Sequence, residues 1–258
     1  MSDTAEVIIH RDATMLARAV AARLVTRLVD VQSARSVASL VLTGGGVGIA
    51  TLTEIAAIPA RDAVDWSRVD LWWGDERFLR TGDPERNETQ ARAALLDQVR
   101  IDPARVHAIP ALGEVADAET AAENYAATLR SMAQPEDHGP VPQFDVLLLG
   151  MGPDGHVASL FPEAPSMYDD RSVVGVHGAP KPPPTRVSMT MKTINSAREI
   201  WVLAAGSEKA GAVSLALGGA GAVQVPAAGV AGRRRTLWLL DGEAAGKLPP
   251  GLNRLASP

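Results

Sequence analysis

Apolar residues in this chain fall into short unbroken runs that alternate with stretches of helical spacing, and most of the runs end at glycine. Met15, Leu16, Ala19, Val20, Leu24 and Leu28 recur at a spacing of three or four behind Asp12, a candidate N-cap, and predict a helix to about Val31. Residues 37–42 (VASLVL), 69–73 (VDLWW), 146–149 (VLLL), 199–205 and 236–240 read as strands. An apolar residue at nearly every position, instead of every second one, is the pattern of a strand covered on both faces, as in a parallel sheet. Residues 6–10 form a β-like entry, 172–176 and 186–191 are further strands, and a short segment lies at 105–109. Helices are predicted over 49–58, 87–99, 118–132 and 207–217, with Asp241 capping a last short one. Asn87, with Gln90 three residues on, resembles a capping box, and Ser207 is the expected cap of the helix ending at Gly218 and Gly219.

Strands that alternate with helices indicate an α/β chain. At 258 residues this is one large domain or two small ones. The Pro/Gly-rich stretch 134–143 reads as a surface loop and not as a boundary, because the glycine loops on either side of it would have to converge. Residues 178–184 (GAPKPPP) are too proline-rich for a helix or an inner strand and predict an ordered surface loop.

Composition narrows the function classes. An apolar content of 46% is ample for a core, and a net charge of −5 argues against a nucleic-acid surface. With no cysteine the chain has no disulfide, no thiolate metal site and no cysteine nucleophile. The N-terminus lacks the apolar stretch of a secretory leader and no run reaches membrane length, which fits a cytoplasmic protein.

Candidate chemistry sits where the strands end. In open α/β sheets ligands bind at the carboxyl edge. The 37–42 strand runs into Thr43-Gly44-Gly45-Gly46-Val47-Gly48 and then a helix. That geometry offers unpaired N–H groups and a positive dipole end to an anion. No P-loop lysine follows, so a phosphate monoester is the better guest than a nucleoside triphosphate. The 69–73 strand ends in Gly74-Asp75-Glu76-Arg77-Phe78, where Arg77 could grip a phosphate and Asp75 or Glu76 could orient it or a nearby imidazole. The 146–149 strand delivers His156 on Gly150-Met151-Gly152-Pro153-Asp154-Gly155. This matches G-x-G-x-x-G, but Pro153 lies inside it and Pro162 stops any helix after it, so a nicotinamide site is disfavoured. Lys209, in the first turn of its helix, opposes the macrodipole unless an anion resolves the misfit. His10, His107, His138 and His177 show no metal-ligand spacing, so no metal is expected.

Taken in order, TGGG at 43–46, WWGDERF at 72–78, GMGPDGHVASLFP at 150–162, PPPTRVSMT at 182–190 and GSEKA at 206–210 resemble the 6-phosphogluconolactonase family. The similarity runs from about residue 8 to residue 248. It implies a single-domain (1–258), Rossmann-like α/β fold with a mostly parallel sheet flanked by helices, and a hydrolase without cofactor or metal acting on a small sugar-phosphate lactone; a monomer is expected. Partners among nucleic acids or membranes are not expected. Many members read S-G-G-S-T-P in the first loop; here the second hydroxyl is missing, so phosphate binding leans on backbone N–H groups and Thr43.

On this footing His156 is the expected base for the attacking water, since an imidazole with a pKa near 6.5 suits proton transfer at neutral pH. Asp75 is expected to orient it or the substrate hydroxyls. Thr43, Gly44, Gly45, Gly46, Arg77, Asp154, Gly155, Arg186 and Lys209 are expected to bind substrate. The alternative is a glucosamine-6-phosphate deaminase or isomerase of the same fold, which usually carries an acidic residue soon after D-G-H; residues 157–162 (VASLFP) have none. A sugar-phosphate-binding regulator would usually add a DNA-binding domain, for which no basic segment is present.

Overall fold

A computed structural model describes residues 5–137 and 139–248, together with the backbone of 254–256. His138 and most of the C-terminal tail lie outside the described residues. The sequence builds β1 (Glu6–His10), α1 (Ala13–Arg35), β2 (Ala38–Leu42), α2 (Gly45–Ala57), β3 (Val69–Trp73), β4 (Asp75–Arg77), α3 (Asn87–Ala94) and α4 (Ala118–Met132). These are followed by β5 (Val146–Gly150), β6 (Val173–Val176), β7 (Arg186–Met189), α5 (Met191–Ile194), β8 (Glu199–Ala204), α6 (Ala210–Leu217), β9 (Arg235–Asp241) and β10 (Arg254–Ala256).

Seven strands form one sheet in the order β10-β1-β9-β8-β5-β2-β3, and every neighbouring pair is parallel. The unbroken apolar runs explain this. Val146, Leu147, Leu148 and Leu149 of β5 are all at most 1% exposed, so both faces of the strand are covered. Burying each such side chain is worth about 1.5–3 kcal/mol against leaving it in water. Helices supply the cover: α1 packs on α2 and on β9, and α2 on β5 and β8. The Asp12 carboxylate accepts the Met15 N–H at 2.8 Å, and Leu16, Val20, Leu24, Leu28 and Val31 form the buried stripe of α1. At the amino end of β5 the buried Asp145 accepts the Ser39 N–H at 3.0 Å and pairs with Arg35, which fixes β5 beside β2.

That adjacency matters for function. The loops after β2 and β5 come from opposite sides of the 134–143 link, yet their strands are hydrogen-bonded neighbours. The strand order therefore sets four loops along one carboxyl edge: after β8, after β5, after β2 and after β3.

Several elements differ from the sequence expectation. β6 and β7 leave the main sheet and pair with β4 as a second, antiparallel sheet, β4-β7-β6. Helix α2 starts at Gly45 and not at 49, so the glycines enter its first turn. α3 stops at Ala94 and gives way to a 3-10 turn at Leu96–Gln98. The expected helix 207–217 begins as a 3-10 turn, Ser207–Lys209, and becomes α6 only at Ala210; Ser207 makes no capping bond. Asp241 caps a turn, not a helix: it accepts the Ala244 N–H at 2.8 Å and also the Gly206 N–H at 3.1 Å. Among the described residues no helix is long and apolar enough to cross a membrane.

Candidate active site

One cleft of about 450 Å³ opens along the carboxyl edge, within the range of small-ligand sites. Thr43, Gly44, Gly45, Gly46, Asp75, Arg77, His156, Arg186 and Lys209 line it, and all of these were singled out in the sequence. Asp154 and Gly155 do not line it. Asn87, Lys181 and Glu208 do, although no local motif marks them as ligand-binding residues.

The glycine loop is held by specific contacts. The Thr43 hydroxyl accepts the Gly150 N–H at 3.1 Å and so stitches the β2 loop to the end of β5. Gly44 has no room for a side chain, because a Cβ there would lie 1.9 Å from Asn87 Oδ1. Gly45 has φ +82°, a left-handed conformation that costs any other residue strain. Gly46 meets neither limit. The loop leads into the N-terminus of α2, whose N-cap, Gly44, makes no side-chain capping bond. First-turn N–H groups are left for an anion there.

The loop after β5 forms a tight hairpin. Gly152 N donates to His156 O at 2.9 Å, and Gly155 N to Gly152 O at 3.0 Å. Gly155 has φ +84°, and a Cβ on it would meet Val225 at 2.6 Å, so this glycine is required by the turn and its packing. His156 Nδ1 lies 2.6 Å from Asp154 Oδ1. The ring packs on Phe161, with centroids 4.6 Å apart. Burial alone would raise the Asp154 carboxyl, but the hydrogen bond and charge of His156 outweigh it and bring the pKa down to about 2. An ionised carboxylate keeps the shared proton on Nδ1 and leaves Nε2 free to accept one.

Asp75 therefore does not orient the imidazole. Its Oδ2 accepts the Ser159 hydroxyl at 2.6 Å, its backbone carbonyl accepts Asn87 Nδ2 at 2.8 Å, and the side chain still lines the cleft. Ser159 is fully buried, so Asp75 is held from behind. Asp154, expected to touch substrate, is instead the partner of the ring. Asn87 is not the cap of α3 either. Glu76 is: its Oε1 accepts the Asn87 N–H at 2.7 Å and its Oε2 the Glu88 N–H at 2.9 Å. Burial pushes Glu76 up to about 7 against the pull of Arg86 and of these N–H groups. The cap leaves the Asn87 side chain to face Asp75 and Gly44.

Four cations line the cleft: Arg77, Lys181, Arg186 and Lys209. None enters an ion pair among the described residues. Only two lining carboxylates, Asp75 and Glu208, oppose them. Arg77 donates from Nη1 to Glu85 O at 2.6 Å. Arg186 lies over Phe161, its Cζ 5.8 Å from the ring centroid. Burial lowers the pKa of Arg186, with Asp75 pulling it up and Arg77 pushing it down; burial lowers Lys209, with Glu208 and Asp241 pulling it up and Lys181 pushing it down. Four cations against two carboxylates, with no ion pair between them, suit an anionic guest.

Known proteins fit this picture. Residues 11–238 match the model of the family described as glucosamine-6-phosphate isomerases/6-phosphogluconolactonase. A 6-phosphogluconolactonase of Streptomyces coelicolor is 58% identical over the whole of both chains. One from Mycobacterium tuberculosis is 47% identical over 95% of this chain and 99% of its own. Among solved structures, 6-phosphogluconolactonase from Trypanosoma brucei superposes with a TM-score of 0.84 at 27% identity, covering 96% of this chain and 100% of that one.

Proposed function

The chain belongs to the glucosamine-6-phosphate isomerase/6-phosphogluconolactonase family, and from that premise we propose that it hydrolyses 6-phospho-D-glucono-1,5-lactone to 6-phosphogluconate, the lactone step of the oxidative pentose phosphate pathway. The observation that carries the mechanism is the imidazole of His156, paired through Nδ1 with Asp154 and lining a cleft with four cations that enter no ion pair among the described residues.

Water attacks the lactone carbonyl carbon while His156 Nε2 takes its proton. The C=O electrons move to oxygen and form a tetrahedral oxyanion, which the nearby cations and N–H groups stabilise. Collapse restores the carbonyl and breaks the bond to the ring oxygen. That oxygen leaves with the proton returned by the imidazolium, and the new carboxylic acid ionises to solvent. A ring ester needs no stronger nucleophile than water with a base beside it. Asp75, fixed by Ser159, accepts hydrogen bonds from sugar hydroxyls. Arg77, Lys209, Arg186 and the glycine loop divide the phosphate and the oxyanion between them. An amino-sugar deaminase usually carries a further acid soon after this histidine, and residues 157–162 (VASLFP) supply none.

The reading is tested by generating the lactone with glucose-6-phosphate dehydrogenase and following its disappearance by NMR. Loss no faster than in buffer would end it, and ammonia released from glucosamine 6-phosphate would replace it with the deaminase. Two variants probe the roles. Arg77→Ala or Lys209→Ala should raise KM for the phosphorylated lactone roughly tenfold or more with a smaller change in kcat, since the lost contact is charge-assisted. An equal loss on unphosphorylated glucono-1,5-lactone would show that neither side chain reads phosphate. Asp154→Asn should lower kcat by about ten- to a hundredfold with KM little changed, because it loosens the ring and removes the fixed tautomer. An unchanged kcat would leave Asp154 without a role in orienting the base.

A further inference from the structure

The loop 178–184 joins the cleft through Lys181, one of its four cations and the one with no role assigned above. Lys181 lines the cleft, yet it is exposed and its ammonium enters no ion pair among the described residues. Its place is not left to chance. The buried guanidinium of Arg186 donates to three successive carbonyls of the same loop: from Nη2 to Lys181 O at 3.1 Å and Pro182 O at 3.2 Å, and from Nε to Pro183 O at 3.2 Å. Ala179 N donates to Pro184 O at 2.9 Å and closes the loop. Prolines at 182, 183 and 184 remove backbone freedom from the same stretch. A flexible lysine stem thus rises from a backbone fixed at its root.

Lys209, half-buried on the turn after β8, lines the same cleft. Burial lowers the Lys209 pKa; Glu208 and Asp241 pull it back up, and Lys181 adds a smaller push down. Two lysines that line one cleft and enter no ion pair among the described residues suit a dianion that comes between them.

We propose that Lys181 is a specificity residue for the phosphate group of the substrate, closing on it opposite Lys209, and that Arg186 positions the loop that carries it. The proposal rests on the sugar-phosphate reading above. The lysine binds phosphate as a mobile point charge, so it adds affinity for the phosphorylated substrate and has no part in the proton transfers at His156.

The test compares the intact enzyme with Lys181→Ala and Lys181→Arg. On the phosphorylated lactone, Lys181→Ala should raise KM about tenfold and leave kcat within about twofold, the cost of one charge-assisted contact. Its kcat/KM on glucono-1,5-lactone should not move, and Lys181→Arg should recover most of the lost affinity. A parallel titration with inorganic phosphate, followed by ³¹P NMR, should show weaker binding to Lys181→Ala by a similar factor. An unchanged KM and an unchanged phosphate affinity would overturn the proposal, as would equal losses on both lactones. If the wild-type chain failed to turn over the phosphorylated lactone, the functional reading would fall, while the phosphate titration would still decide the role of Lys181.

Discussion

His156→Ala is expected to lower kcat by about 10²- to 10⁴-fold, the usual contribution of a positioned general base. KM should change little, because the cations and the glycine loop that hold the substrate are untouched. Folding should survive. The imidazole side chain is 16% exposed, and it contacts a carboxylate on its own turn and the tilted ring of Phe161. The hairpin that carries it is closed by backbone bonds between Gly152 and His156 and between Gly155 and Gly152, which alanine retains. The measurement is initial-rate kinetics on freshly made lactone, corrected for spontaneous opening, together with a thermal melt. Turnover within about tenfold of wild type, with an unchanged melting temperature, would remove His156 as the base. The remaining activity of the alanine variant should come from binding and oxyanion stabilisation.

Much of this arrangement was legible because sheet and loops follow from composition at the level of single strands. A run such as VLLL can only be buried on both faces, and a parallel sheet puts the ends of such strands at one edge. Glycines after three of those strands then mark where the backbone must turn close to a ligand. Less legible was which side chain faces which. Asp75, an acid at a strand end, reads equally as a partner of the imidazole or of the substrate hydroxyls. Asp154, two residues from His156, has the shorter path once the Gly-Pro-Asp-Gly turn folds back, and Asp75 is taken by Ser159, far away in sequence. Asn87 looked like a helix cap since its residue type suits one. Glu76, remote in sequence and buried, fills that role and leaves the amide against the glycine loop. Lys181 sat in a stretch that proline content marked as surface loop, which it is; only the long-range folding of β7 beside β4 brings Arg186, and with it the loop, to the cleft. In each case the decisive contact is tertiary, and local spacing has no access to it.

The second large effect concerns a residue with no side chain. Gly152→Ala should reduce kcat by about a hundredfold or more, close to the loss from removing the base itself. A Cβ on Gly152 would lie 2.1 Å from both Cε1 and Nδ1 of His156 and 2.5 Å from Asp154 Oδ1. No rotamer change of the new methyl can relieve this, because a Cβ is fixed by the backbone. The ring and its carboxylate must move, and they are the pair that sets the tautomer and the aim of Nε2. Gly152 itself is not in the left-handed region, so alanine meets no intrinsic backbone penalty and the clash falls on the pair. Kinetics on the single and double variants separate this from simple damage. If the methyl acts by displacing the imidazole, Gly152→Ala added to His156→Ala should cost almost nothing further, since residues acting as one unit are not additive. Losses that multiply in the double variant, or a Gly152→Ala enzyme with normal kcat, would show that the imidazole does its work from some other position than the one it holds against Gly152.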